Sequence, residues 1–585
     1  MSVEKLIVDH MATWTSALQT RSTAGRGSSG KIDLYGIKKL RELILELAVR
    51  GKLVPQDPND EPASELLKRI AAEKAELVKQ GKIKKQKPLP EISEEEKPFE
   101  LPEGWEWVRL GNLGIIGSSS RVHQKDWTSK GVPFYRAREI VSLAKNSCVN
   151  NELFITDKLF ETLSQNGLYP EENDIMLTGV GTIGVSYIVK SCDKFYFKDA
   201  SVLIFKNIHK LYHGYINCIF QSPYWFNEIY KNSMGTTVHT LTISRAADVL
   251  IPIAPEKKQY SINAKVQMLM ELCDQLEQQS LTSLDAHQQL VETLLGTLAD
   301  SQNAEELAEN WARISEHFDT LFTTEASVDA LKQTILQLAV MGKLVPQDPN
   351  DEPASELLKR VAQEKAQLVK EGKIKKQKPL PPISDEEKPF EIPTSWEWVR
   401  FGTITTSRLG KMLDKAKNKG TPKKYIRNVN VQWDNIFLDD INEMKFEDNE
   451  LSEFILKNGD LLVCEGGEPG RCAIWNKPGE FYFQKALHRV RTFCNIPTKI
   501  LAIHLKNDSS NGRLENLFTG VTIKHLPGDK LQQYVIPLMP LNEQNNIIAK
   551  LNLLLDICDN LINEIKTAQQ TQLHLADALT DAAIN

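Results

Sequence analysis

GKLVPQDPNDEPASELLKR, residues 51–69, is written again without a change at residues 342–360. The copy runs on: residues 51–109 recur as 342–400 with 9 of 59 positions altered, so close a match that one local structure is expected twice. The changes are mostly mild, such as Ile70 against Val361 or Glu94 against Asp385. The stretches after the two copies, residues 110–250 and 401–535, are almost unrelated in their text. Two near-identical frames carrying different inserts describe one scaffold that presents two different reading heads.

The repeat extends outward from that block. Upstream, Ile37, Leu40, Ile44 and Leu47 match Val328, Leu331, Ile335 and Leu338, and their 3-4-3 spacing draws one apolar helix stripe. Downstream of the inserts stand Ile251-Pro-Ile-Ala-Pro255 and Ile536-Pro-Leu-Met-Pro540, each leading into a long helical pattern. Ile262, Val266, Leu269, Cys273 and Leu276, like Ile547, Leu551, Leu554, Cys558 and Leu561, are spaced 4-3-4-3, the period of a coiled-coil seam. Prolines 255 and 540 suit helix starts, where a missing N–H costs nothing. The spacing predicts helices over about 256–299 and 541–582 that pack on one another.

The expected fold is therefore α+β: two mixed α/β domains joined by long antiparallel coiled-coil helices, with internal pseudo-two-fold symmetry. Residues 1–50 form an N-terminal helical region, 51–104 the first frame block and 105–255 the first insert domain. A central coiled-coil and helical spacer, 256–341, leads to the second frame block, 342–395. The second insert domain, 396–540, and a C-terminal coiled-coil helix, 541–585, complete the order. Residues 18–36, rich in Ser, Gly and Thr, read as a flexible loop, and residues 82–97 and 373–388 as extended surface connectors.

At 585 residues the chain has room for several cores, and its eight scattered cysteines without a CxxC pair suit reduced, buried thiols in a cytoplasmic protein. No basic start with an apolar run and no apolar stretch of 18 residues suggests export or membrane insertion. The net charge of −6 hides an asymmetry. Residues 110–250 hold 14 Lys/Arg and 12 Asp/Glu, and residues 401–535 hold 20 and 16, so the inserts are mildly basic and the frame carries the acidity.

Three tempting motifs fail. Residues 25–32, GRGSSGKI, spell a phosphate-binding loop with Ile32 where a hydroxyl must hold Mg²⁺. Gly179-Val-Gly-Thr-Ile-Gly184 aligns with Glu465-Gly-Gly-Glu-Pro-Gly470 and loses its first glycine there, so a strand–turn–strand is expected in both. Gln221-Ser-Pro-Tyr-Trp225 lacks the residues of an amino-methyltransferase loop. No catalytic residues and no metal ligands are assigned, which argues against a stand-alone enzyme.

Behind their dissimilar text the inserts share a skeleton. Each opens with Trp-Glu-Trp-Val-Arg, continues through Asp174-Ile-Met-Leu or Asp460-Leu-Leu-Val and the glycine turn, and then starts a strand-like run at Ala200 or Ala486. Each closes with Gly-x-Thr-Φ-x-x-Leu, residues 235–241 and 520–526. One fold with altered surface residues is expected.

This layout resembles the specificity subunit of type I restriction–modification systems, on the twin inserts, the Gly-x-Thr segments, the IPΦxP-x(3)-Q exits with Gln259 and Gln544, and the paired helices. The resemblance implies a non-catalytic, cytoplasmic DNA-reading subunit whose inserts are target recognition domains, each reading half of a split target. It would bind two methyltransferase subunits, which carry S-adenosylmethionine and modify adenine, and motor–nuclease subunits using ATP and Mg²⁺. The alternative is a protein-interaction scaffold with duplicated binding modules, which the charge split disfavours.

The resemblance carries over no base-contacting residue, so chemistry alone selects candidates. Residues 408–427 hold eight positive groups, Arg408, Lys411, Lys415, Lys417, Lys419, Lys423, Lys424 and Arg427, against one acid, Asp414, as phosphate contacts would require. Arg427, Asn428, Asn430 and Gln432 offer the forks and amides that pair with guanine and adenine edges. Arg121, Gln124, Lys125, Arg136 and Arg138 stand at comparable places in the first insert. Lys485, His488, Arg489 and Arg491 straddle two strand faces, so only some of them can reach DNA.

Overall fold

The structure, a computed structural model, describes residues 3–21, 31–145, 147, 149–231, 239–414, 416 and 418–584. Helix makes up 49% and strand 15%, which fits the α+β expectation, with the helices concentrated in the frame. The chain forms two compact units, one of Met1–Ser283 with Ala568–Asn585, the other of Leu284–Thr567.

The long helices are Glu256–Asp300 and Leu541–Ile584. Each begins one residue after its proline: the carbonyls of Pro255 and Pro540 accept from Gln259 and Gln544 N–H at 3.1 and 2.9 Å. The same two glutamines, both buried, send their side-chain amides back to the Ala254 and Met539 carbonyls at 2.9 and 2.8 Å. The glutamine of IPΦxP-x(3)-Q thus locks the helix start to the strand before it. The far ends are capped by one repeated lysine. Lys52 Nζ donates to the Ile584 carbonyl at 2.6 Å in the first unit, and Lys343 Nζ to those of Ala299 and Ser301 at 2.6 and 2.9 Å in the second. A cation there satisfies orphan carbonyls and meets the negative end of the helix dipole.

The seam residues are buried: Ile262, Val266, Leu269, Cys273 and Leu276 in the first helix, and Ile547, Leu551 and Cys558 in the second. The repeated short helix supplies ionic partners at matching places. In Tyr35–Val49, Arg41 pairs with Asp274 at 2.7 Å and Glu277 at 2.8 Å, beside Cys273. In Glu325–Val340, Lys332 pairs with Asp559 at 2.5 Å, beside Cys558. In the second unit Val328, Leu331, Ile335 and Leu338 share one core with Val291, Leu295 and Leu298 of the first long helix and Ile547, Leu551 and Cys558 of the second.

Each insert is closed at its neck by its first and last strands, Glu106–Arg109 on Leu250–Ile253 and Glu397–Arg400 on Val535–Leu538, antiparallel and in the same register. Arg109 and Arg400, both buried, pin the proline-rich connectors: each donates to a proline carbonyl, Pro90 or Pro381, and each pairs with a connector carboxylate, Glu96 or Glu387, at 2.9 and 2.7 Å. The connectors are extended as expected, but tied down. Arg400 holds the Glu387 carboxyl at about 2.

Inside the neck both inserts have one topology. A four-stranded sheet orders Ile115–Gly117, Val202–Lys206, Ile175–Thr178 and Ser186–Ile188 in the first, and Thr405–Leu409, Leu487–Thr492, Leu461–Cys464 and Cys472–Ile474 in the second. A three-stranded sheet has Val132–Tyr135 or Thr421–Ile426 at its centre, parallel to Tyr196–Phe197 or Tyr482–Phe483. The glycine motif is the turn between antiparallel strands, with Gly181, Gly184, Gly467 and Gly470 all at positive φ. At Gly184 an added Cβ would stand 2.2 Å from Ile229 Cδ1, and at Gly470 it would stand 2.2 Å from Leu514 Cδ2, so both turns require glycine. Part of the expected loop 18–36 is paired, Gln19–Arg21 with Lys31–Asp33; residues 22–30 of the phosphate-loop look-alike lie outside the described residues.

Candidate nucleic-acid interface

In both inserts most candidate side chains lie on one path: from the edge strand of the four-stranded sheet to the central strand of the three-stranded sheet, and on past its end. In the first insert this path is residues 118–131. Arg121, Gln124 and Lys125 are exposed there, with no side-chain hydrogen bond or ion pair among the described residues. In the second insert it is residues 410–420. Lys419 is exposed and equally unpartnered, while Lys415 and Lys417 lie outside the described residues.

Two cations on that path are not free. Arg408 meets Glu453 at 2.5 Å and lies over the Phe454 ring. Lys411 is buried, paired with Glu450 and 5.2 Å above the Phe446 ring. This corrects its assignment to phosphate: a desolvated ammonium needs that carboxylate and cannot leave it cheaply. On the central strand Lys423 pairs with Glu480 at 2.8 Å, while Lys424 is exposed and unpartnered.

Both central strands end on an arginine whose backbone N–H is capped by a buried side chain. Arg136 N–H donates to Glu139, and Arg427 N–H to Asn430 Oδ1, both at 2.9 Å. Arg136 and Arg138 turn their guanidiniums onto Glu139 and Glu152, and Arg427 onto Asp440 at 2.5 Å. Asn430, 3% exposed, donates its amide to the carbonyls of Phe437 and Asp440. It is thereby removed from the base-reading set, because its donor and acceptor are both engaged in holding the turn. Gln432, half-exposed, donates to the Val429 carbonyl at 3.2 Å.

The cations near Ala486 sort by face. Lys485 is exposed and unpartnered. His488 is buried against the Leu526 carbonyl at 2.9 Å, and burial lowers its pKa. Arg489 is corrected inward: it donates to the Glu453 and Ile455 carbonyls at 2.7 and 3.1 Å, and burial, with Arg491 alongside, pulls its pKa down to about 10. Arg491 grips buried Asp460 through two bonds of 2.5 and 2.8 Å, as Lys206 grips buried Asp174 at 2.7 Å in the first insert. The aspartate of the shared skeleton is a structural anchor in both.

The shared glycine turn and Gly-x-Thr segment meet in space. Gly466 is bridged to His525, and Leu526 N–H donates to the Glu465 carbonyl at 2.7 Å. In the first insert Val180 is bridged to Thr240, and Leu241 N–H donates to the Gly179 carbonyl at 2.8 Å; residues 232–238 lie outside the described residues. Asn428 joins the second junction by donating to the Gly466 carbonyl at 3.2 Å. On the segments that meet there Val429, Phe437, Val521 and Ile523 are exposed aliphatic or aromatic groups, which a pattern of cations and amides does not mark. The available signal was apolar lettering, Val521 and Ile523, inside a turn-forming segment. No group of three His, Cys, Asp or Glu could hold a metal among the described residues, and no helix there is long and apolar enough to cross a membrane.

Comparison with known proteins gives these likenesses. Residues 102–286 and 393–570 match the type I restriction modification DNA specificity domain. Over the whole of both chains the protein is 50% identical to the type I restriction enzyme EcoAI specificity subunit and 46% identical to the EcoEI specificity subunit, both of Escherichia coli. Among solved structures it is similar to the HsdS subunit from Thermoanaerobacter tengcongensis at 16% identity and a TM-score of 0.41, covering 83% of this chain and 98% of that one.

Proposed function

The chain belongs to the type I restriction–modification DNA specificity subunits, and from that premise we propose that each insert reads one half of a split, asymmetric DNA target. The observation that carries this reading is the common path: two inserts of one topology display different side chains at the same place. Arg121, Lys125, Lys419, Lys424 and Lys485 are the phosphate contacts, being exposed and unpaired. Gln124, Asn428 and Gln432 carry amides of the kind that pair with base edges, and Arg427 offers its fork only if DNA displaces Asp440.

The chain itself performs no chemistry. It directs adenine methylation or ATP-dependent cleavage by partner subunits that hold S-adenosylmethionine, ATP and Mg²⁺. Two copies of one methyltransferase suit the repeat, since Met268 and Leu553, at matching places on the long helices, are 49% and 56% exposed. The long helices act as an antiparallel, pseudo-two-fold ruler: 45 residues at about 1.5 Å each give about 67 Å, against a groove repeat of about 34 Å.

The test is the methylome of cells carrying the complete system. A bipartite motif with an unread gap of several base pairs is expected; a contiguous motif would defeat the two-headed reading.

A further inference from the structure

We propose that the tip of the 519–525 turn is an aliphatic reader of thymine methyl groups in the half-site served by the second insert. This deepens the DNA-reading assignment above and rests on it.

The turn is a built one. Thr519 and His525 exchange both backbone hydrogen bonds, at 2.8 and 2.9 Å. Gly520 sits at φ +92°, where an added Cβ would stand 2.3 Å from the Ile523 carbonyl oxygen, so the loop closes tightly only with glycine. On this fixed tip Val521 and Ile523, two residues apart, are 101% and 65% exposed. Neither belongs to the hydrophobic cores of the second unit. Water is an unfavourable place for two β-branched aliphatics, and a turn needing only closure is served by polar residues.

Position and chemistry select the occupant. The turn is bridged to Gly466, which also receives Asn428, so the tip belongs to the junction at the end of the candidate path. Lys524 lies over the Phe518 ring and pairs with Glu515 at 2.7 Å, which leaves Val521, Thr522 and Ile523 as the free groups of the tip, the first and last of them wholly aliphatic. The base edges of duplex DNA present donors and acceptors, and the one aliphatic group among them is the thymine 5-methyl in the major groove. A rigid pair of aliphatic side chains beside an amide matches that group.

The experiment uses the chain assembled with its methyltransferase partners and duplexes in which each thymine of the second half-site is replaced in turn by deoxyuridine. Binding is expected to weaken roughly fourfold for each contacted methyl removed. The double variant Val521→Ser/Ile523→Ser removes the side-chain methyls at two exposed positions and leaves Gly520 and the Thr519–His525 bonds that close the turn; it should bind thymine and uracil duplexes alike, with the salt dependence unchanged. A wild-type complex indifferent to every replacement overturns the proposal without any variant. So does a double variant that keeps the thymine preference, or a rise in 2-aminopurine fluorescence on binding with no thymine preference, which would make the tip a wedge between base steps. A complex that binds target and unrelated duplexes equally overturns the DNA-reading assignment itself, and this proposal with it.

Discussion

The two inserts share strand order, neck register, glycine turn and anchoring aspartate, yet they use equivalent positions differently. The connecting path is open in the first insert, where Arg121 and Lys125 have no partners, and stapled in the second, where Arg408 and Lys411 are held by Glu453 and Glu450. The cap under the central strand is a carboxylate with two arginines in one insert, Glu139, and an amide in the other, Asn430. A basic residue in such a protein is therefore no measure of DNA contact; its nearest carboxylate decides. What stays constant is the geometry that delivers the path, which leaves the side chains along it free to differ.

The largest effect should come from breaking the pair. Replacing residues 401–535 by the corresponding insert of a relative with another specificity should change one half-site, shifting affinity for the old target by about a thousandfold or more while the other half-site stays. Methylome mapping reads both halves at once. If both changed, the inserts would not be independent readers.

Acid should separate the units next. His504, 2% exposed, has its pKa pushed down to about 4 by burial, with Asp508 opposing and Arg513 adding to the shift. The folded state needs the neutral ring. Its stabilisation is complete above pH 6.5 and is lost as pH falls toward 4, on the order of 3 kcal/mol over that window. Buried His488 adds in the same direction. In the first unit the buried hydroxyl of Tyr215 donates to the Pro252 carbonyl at 2.9 Å, beside the neck strand, and the titrating group nearby is half-exposed His213, whose smaller exposure change is screened by water. Amide exchange at about pH 7.5 and about pH 5 should show helix Thr498–Ser510 losing protection before His213–Gln221. Parallel loss in the two helices would contradict this.

Periodicity and punctuation made the frame legible. Pro255 and Pro540 mark the helix starts, and the 4-3-4-3 seams name the buried faces. They did not name what covers those faces: the ion pairs of Arg41 and Lys332 place the repeated short helix beside the seams. The interface was less legible because its pairings are distant in sequence. Lys411 finds Glu450 39 residues on, and Lys423 finds Glu480 57 residues on. Nor does an asparagine in a basic stretch reveal that it caps a turn.

Asn430→Ala sharpens that last point. The structure assigns it a supporting role, so the variant should destabilise the second unit by about 1–3 kcal/mol through three lost hydrogen bonds and leave unpaired carbonyls. Binding should then weaken across the whole half-site. Thermal unfolding, together with binding to single-base variants of the target, distinguishes the roles: unchanged stability with discrimination lost at one base pair would restore Asn430 as a base reader.

The smallest effect on discrimination belongs to the unpaired lysines, and it tests whether nearest carboxylates decide. Each phosphate contact contributes about 0.9 to the slope of log K against log salt. Changing Lys419, Lys424 and Lys485 together to Gln should flatten the slope by up to about 2.7, and Arg121 with Lys125 by up to about 1.8. Both sets should weaken binding equally on target and mutated duplexes, since an ammonium over a phosphate carries no sequence information. Lys411→Gln is the control from the stapled path: its charge is already met by Glu450, so the slope should hold while the second unit loses stability. Titrations at three salt concentrations separate these outcomes. A slope that responds to Lys411 as strongly as to Lys424 would mean that the Glu450 pair opens on DNA and that the two paths are alike once bound.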